Sequence, residues 1–149
     1  YSILQGSNMI TLQLEIIQSA LLDIGSHLAT PKSFEKTTDK HLERVAMNDQ
    51  LVVELEKWID KLDAQLPPLK NFILPGGGLV ATHLHMARSI CRRTERSMIP
   101  LIKNKDADEI ALKYMNRLSD YLFVAARYTT NTDEIIYKKP KSRTTTKTT

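Results

Sequence analysis

A chain of 149 residues with 42% hydrophobic and 26% charged residues has the size and composition of one globular domain. That is long enough for a core that needs neither disulfide nor metal. No run approaches the roughly 18 apolar residues of a membrane-spanning helix, and a single cysteine, Cys91, excludes an internal disulfide and fits a reducing compartment.

The net charge of +4 comes from the end of the chain. Residues 138–149, KKPKSRTTTKTT, carry five basic and no acidic residues; the remaining 16 basic residues stand against 17 acidic ones, a balance of −1. This tail reads as a solvated, disordered end, with a nucleic-acid arm as the lesser alternative. The chain begins at Tyr1 rather than methionine, and Tyr1–Gln5 reads as the end of an element. A fragment of a longer protein, with one more helix upstream, is the expectation.

The first predicted helix runs from Asn8 to Leu28, with Ser7 as N-cap. Ile10, Leu14, Ile17, Leu21, Ile24 and Leu28 recur at alternating spacings of four and three, which makes one apolar seam. Pro31 ends it. Residues 32–48 are polar, of mixed charge, and read as a loop with at most one helical turn. The second helix spans Asp49–Gln65, with Leu51, Leu55, Trp58 and Leu62 as its seam and Val52, Ile59 and Leu66 widening it; Pro67 and Pro68 terminate it.

Pro75 and the run Gly76–Gly78 mark a loop. The third helix follows, from Leu79 to Ile99, where Pro100 bends or ends it. Asp106 and Glu109 have the spacing of a capping box. The fourth helix runs from there to Tyr128, with a seam of Ala111, Tyr114, Leu118, Leu122 and Ala125. DEIIYKK (133–139) reads as a short final segment. No stretch alternates as a strand does. The fold class is therefore all-α, an up-and-down helix bundle. It forms a single domain over 1–137, incomplete at its N-terminus, followed by the basic Thr-rich tail over 138–149.

The run HLHMARSICRRTERSM (83–98) sets four arginines and a glutamate beside an apolar stripe. At about 100° per residue, Leu84, Ala87, Cys91, Thr94, Met98 and Leu101 form the core stripe. His85, Arg88, Arg92 and Glu95 form a ridge along its border, with Arg93 facing elsewhere. On the fourth helix Asn116, Asp120, Phe123 and Arg127 share a face beside the seam. Two readings stay open: a structural or surface ion network, and an anion site whose guanidinium forks fit phosphate oxygens. Three glycines before a helix are either a flexible approach or a set of free N–H groups for an anion. Phe72 and Ile73 fit a lid over a flat apolar ligand and fit core packing equally.

Other chemistry is poorly provided for. His83 and His85 diverge on a helix and make a poor metal pair, and there is no Glu-x-x-His for a di-iron site. Cys91 reads as a small buried hydrophobe.

NFILPGGGLVATHLHMARSICRRTERSMIPL (71–101) resembles the signature helix of the PduO-type ATP:cob(I)alamin adenosyltransferases (ATP:corrinoid adenosyltransferases). YMNRLSDYLFVAARY (114–128) resembles their following helix, and IQSALLDIGSHLATP and LEKWIDKLDAQLPPLKNFILPGG their earlier stretches, so the likeness spans nearly all of 9–128. The resemblance implies a five-helix bundle acting as a homotrimer, with active sites between subunits. It further implies transfer of the 5′-deoxyadenosyl group of ATP to cob(I)alamin, with Mg²⁺ accompanying ATP and no metal ligands of the protein's own. Arg92 matches the contact to the triphosphate, and Glu95 and Asn116 match ATP-site residues. Arg88 matches the arginine that pairs with an acidic residue of the neighbouring subunit. Phe72 matches the aromatic on the lower face of the corrin ring, where it helps expel the lower ligand. Phe123 is the second apolar wall, and Asp120 and Arg117 are supporting residues.

The chain departs from the family in two ways. The Thr/Gly/Asp-rich N-terminal phosphate loop and most of the first helix, with the acidic partner of Arg88, are absent, so this chain alone is expected to bind ATP poorly. Gly78 stands where the family often has serine. The resemblance also implies the mitochondrial matrix or, as the alternative, a bacterial cytoplasm. It implies a downstream adenosylcobalamin-dependent enzyme as partner, and neither nucleic acid nor membrane. The competing functions are a non-catalytic cobalamin chaperone or degenerate family member, and a nucleic-acid-binding bundle, against which the near-neutral body argues.

Overall fold

The computed structural model describes residues 2–33, 38–44, 46–130 and 133–139; the predicted tail lies outside them from residue 140 onward. Five helices follow in order: α1 Ser2–Leu28, α2 Asp39–Arg44, α3 Gln50–Asp63, α4 Leu79–Lys103 and α5 Glu109–Tyr128. Four are long and α2 has six residues, so the fold is all-α. The β pairing among the described residues is one isolated bridge, Ile73 to Ile136.

α5 is the centre. Its buried residues include Ala111, Tyr114, Leu118, Tyr121, Leu122, Val124 and Ala125, on all sides of the helix, as expected of a helix surrounded by others. The contacts along it fix the directions. Glu95 meets Asn116 and Arg88 meets Phe123, so α4 runs antiparallel to α5. Glu56 pairs with Arg117 and Trp58 packs on Tyr121 at 5.9 Å between centroids, so α3 runs parallel to it. Gln13 meets Tyr121 and His27 meets Asp108, so α1 is antiparallel. The long helices thus alternate up, down, up, down, as the seams predicted.

Helix α1 corrects the sequence reading twice. It reaches back to Ser2, through Gly6 and Ser7, where a break and a cap were expected. One glycine costs about 1 kcal/mol in a helix interior, whereas a new helix must nucleate afresh. Its buried stripe is Ile10, Gln13, Ile17, Ala20, Ile24 and His27. Ile10, Ile17 and Ile24 are as predicted, but Gln13, Ala20 and His27 replace Leu14, Leu21 and Leu28. The polar members are buried because α5 supplies partners. Tyr121 Oη donates to Gln13 Oε1 at 2.8 Å, and the Asp108 N–H donates to His27 Nε2 at 2.9 Å. Leu14, Leu21 and Leu28, with Ile90, Cys91, Thr94 and Leu118, instead line an apolar groove of about 450 Å³ between α1, α4 and α5.

Two boundaries also differ. α4 continues through Pro100 to Lys103 instead of ending at Ile99, and the ladder resumes when Asn104 N–H bonds Pro100 O at 3.0 Å. Pro100 lies on the exposed side of the helix, where water can serve the carbonyl it leaves unpaired. α5 starts at Glu109 with Asp108 as N-cap, so Asp106 does not form the expected capping box; its carboxylate accepts the Ser33 N–H at 3.3 Å. The short final segment, residues 133–139, is extended. It runs beside the loop 67–78, with Leu74 N–H bonded to Ile135 O at 2.8 Å and Tyr137 N–H to Phe72 O at 2.7 Å.

Candidate functional site

The two polar ridges predicted on α4 and α5 face each other. Asn116 Nδ2 donates to Glu95 Oε1 at 2.9 Å. The Arg88 guanidinium carbon lies 5.2 Å from the Phe123 ring centroid, a cation–π contact. Between Arg88 and Glu95 lie two helical turns, about 10 Å, and Arg92 stands midway on the same ridge, exposed. Neither Arg88 nor Arg92 forms an ion pair among the described residues. Two guanidinium groups therefore keep their donors available at the edge of a carboxylate–amide pair. Glu95 and Asn116 also border a cleft of about 550 Å³ lined further by Asp49, Glu109 and Lys113.

Asp120 is held within its own helix. Arg117 Nη1 donates to its Oδ2 at 3.0 Å, while Arg117 Nε lies 3.5 Å from Glu56. The pair ties α5 to α3. Arg127 leaves the predicted face: its buried guanidinium donates to the Pro67 carbonyl at 2.8 Å and to Glu134 at 2.7 Å.

His85 is buried rather than on an open ridge, 6.1 Å from the Phe123 ring. Burial, and then the Arg88 charge, hold its pKa below the ordinary value. The unfolded chain takes up a proton at about pH 6.5 that the folded protein refuses. Stability contributed by neutral His85 is therefore present above that pH and lost as pH falls through it toward the lowered folded value. Melting temperature measured from pH 7.5 to 5.5 is expected to fall more steeply in the parent than in His85→Gln; equal slopes would refute this. Cys91 behaves as predicted. It is 5% exposed, its thiol donates to the Met115 carbonyl at 3.2 Å, and burial pushes its pKa up to about 12. Such a thiol stays neutral and unreactive.

Phe72 is 82% exposed, held out from the loop between α3 and α4. Phe72 precedes α4 by seven residues, and Leu79, where α4 begins, stands 16 residues and about 24 Å before Glu95 along the helix. Two of the three glycines have a structural reason. Gly78, the N-cap of α4, has φ +100°, where serine would be strained. A Cβ at Gly77 would lie 2.4 Å from Thr130 Oγ1. Sequence reasoning missed the buried roles of Gln13, His27 and Arg127. Their only signal was polar character at core spacing.

The described residues thus set arginines, a carboxylate and an amide along one seam of a helical bundle, and present an aromatic on a loop. The family model for cobalamin adenosyltransferase matches residues 2–129. Corrinoid adenosyltransferase MMAB of Mus musculus is 46% identical over 138 residues, which are 91% of this chain and 57% of that protein. Corrinoid adenosyltransferase of Bacillus subtilis is 43% identical over 124 residues, 82% of this chain and 59% of that protein. A structure of a variant PduO-type ATP:corrinoid adenosyltransferase from Lactobacillus reuteri, complexed with cobalamin and ATP, superposes with a TM-score of 0.79 at 36% identity. It covers 90% of this chain and 73% of that one. The chain belongs to the cobalamin adenosyltransferase family, and it spans somewhat more than half the length of these curated relatives.

Proposed function

We propose that the protein of which this chain is the helical bundle transfers the 5′-deoxyadenosyl group of ATP to cob(I)alamin, giving adenosylcobalamin and triphosphate. The observation that carries the reading is the α4–α5 seam, where Arg88, Arg92, Glu95 and Asn116 stand together in a chain of this family. The cobalt(I) of the substrate supplies the electron pair, which forms the bond to C5′; the C5′–O bond breaks and triphosphate leaves with its electrons. No side-chain base is required. The protein's tasks are to hold C5′ in line with the cobalt and to stabilise charge growing on the leaving group. Arg92 is assigned to the triphosphate, with Glu95 and Asn116 holding the rest of ATP.

Mg²⁺ fits as an ion that arrives on the triphosphate. Carboxylates of Asp49, Glu95 and Glu109 line the cleft, while no three metal-ligating side chains group together among the described residues. Such a site suits an ion held mainly by phosphate oxygens and water. Phe72 and Phe123 are assigned to the corrin, with Asp120 supporting through Arg117. That Arg88 forms no ion pair among the described residues supports active sites built between subunits of a homotrimer, in which it would find its acidic partner. No helix among the described residues is long and apolar enough to cross a membrane. The mitochondrial matrix, a downstream adenosylcobalamin-dependent partner and the domain limits of 1–137 belong to the same proposal.

The test is spectroscopic. The full-length gene product is mixed with ATP, Mg²⁺ and chemically reduced cobalamin, and loss of the cob(I)alamin spectrum is followed. ATP-dependent conversion establishes the reaction. Corrin binding without conversion would replace it with a carrier function, and neither binding nor conversion by a folded protein would leave only the fold.

A further inference from the structure

We infer that Arg127 and Glu134 are positioning residues for Phe72, acting through the loop that carries it; the inference rests on the corrin-facing assignment of Phe72 above. Arg127 lies in the last turn of α5 with its side chain 3% exposed. One guanidinium reaches both pieces of chain that frame Phe72. Nη2 donates to the carbonyl of Pro67, where the loop begins, at 2.8 Å. Nε donates to Glu134 Oε1, at the start of the extended segment 133–137, at 2.7 Å. Nη1 lies 4.0 Å from Asp63 at the end of α3.

The segment anchored by Glu134 then grips the loop on either side of the aromatic. Tyr137 N–H bonds the Phe72 carbonyl, Leu74 N–H bonds the Ile135 carbonyl, and Ile73 pairs with Ile136. At the far end of the loop, Gly77 lies against Thr130, two residues beyond α5. Phe72 is thus exposed as a side chain but fixed as a backbone. A ring that must press on a ligand face gains from a fixed backbone, because the entropy of ordering it is then spent in folding rather than in binding. A purely structural ion network would need no hydrogen bonds from the anchored segment to the residue that faces the ligand.

The experiment uses the full-length protein with Glu134→Ala, whose side chain is 30% exposed, alongside Arg127→Lys, Phe72→Ala and the Glu134→Ala/Phe72→Ala double variant. In Glu134→Ala, amide exchange at Leu74 and Tyr137 is expected to quicken about tenfold while that of the α5 core is unchanged. KM for ATP is expected to stay within about twofold, and kcat with the corrin to fall by about tenfold. The double variant should be no slower than Phe72→Ala alone, since the clamp acts through that ring. Arg127→Lys, which keeps the charge and loses the fork, should fall between parent and Glu134→Ala. Unchanged exchange, unchanged corrin turnover with a loosened loop, or additive losses in the double variant would each overturn the inference. If the parent shows no turnover, the adenosyl-transfer reading fails on its own account, and the exchange rates still decide whether the clamp exists.

Discussion

Replacing Arg92 by alanine is expected to lower ATP-dependent turnover by about a hundredfold or more, the usual cost of removing a donor aimed at transition-state charge. Arg92 is exposed and makes no ion pair among the described residues, so nothing in the fold depends on it. Surface substitutions of that kind change stability by no more than about 0.5 kcal/mol. The prediction therefore separates function from folding: kcat falls, and the melting temperature does not move. Arg92→Lys would recover only part of the loss, because a point charge replaces a fork that can hold two phosphate oxygens at once. Steady-state kinetics beside thermal unfolding provide the check. Turnover left intact by Arg92→Ala would remove Arg92 from the triphosphate.

Phe72→Ala should act on the other substrate. Covering most of a phenyl side chain against a flat apolar ring is worth roughly 1.5–3 kcal/mol, or one to two powers of ten in rate if the contact is completed in the reacting complex. The ring is 82% exposed, so its loss opens no cavity and should leave stability unchanged. ATP binding, assigned to the α4–α5 seam and not to this loop, should keep its KM. Corrin turnover should drop, together with the spectral change that marks loss of the lower ligand. An equal fall in ATP affinity would mean that Phe72 serves the subunit interface at large rather than the corrin face.

Most of the residues behind these predictions form a pattern in the sequence itself. Arg88, Arg92 and Glu95 recur every three to four positions beside an apolar stripe, and Asn116, Asp120 and Phe123 do the same on the next long helix. Periodicity places such residues on one face because the helix repeat is fixed. It does not say what that face meets. His85 stood on the same predicted ridge, yet it is buried against Phe123. Arg127 shared a spacing with Phe123 and Asp120, yet it turns inward to Pro67 and Glu134. In α1 the alternation of Ile10, Ile17 and Ile24 was legible. The choice of Gln13 and His27 over Leu14 and Leu28 for the buried side was not, because it depends on Tyr121 and Asp108, some eighty to a hundred residues away.

The sequence by itself determined the all-α class, the four long helices, the buried Cys91 and the arginine ridge, all of which follow from local spacing and from breakers such as Pro67 and Gly76–Gly78. Likeness over nearly the whole chain determined the family. Only the tertiary structure decided which polar residues are buried with partners, that the Asn116 amide meets Glu95, and that 133–139 runs extended beside the Phe72 loop. The reason is physical. Secondary structure is set by interactions within a few residues. Burial of a glutamine, a histidine or an arginine is decided by whether a distant element brings a matching donor or acceptor, since without one the cost of leaving water is not offset.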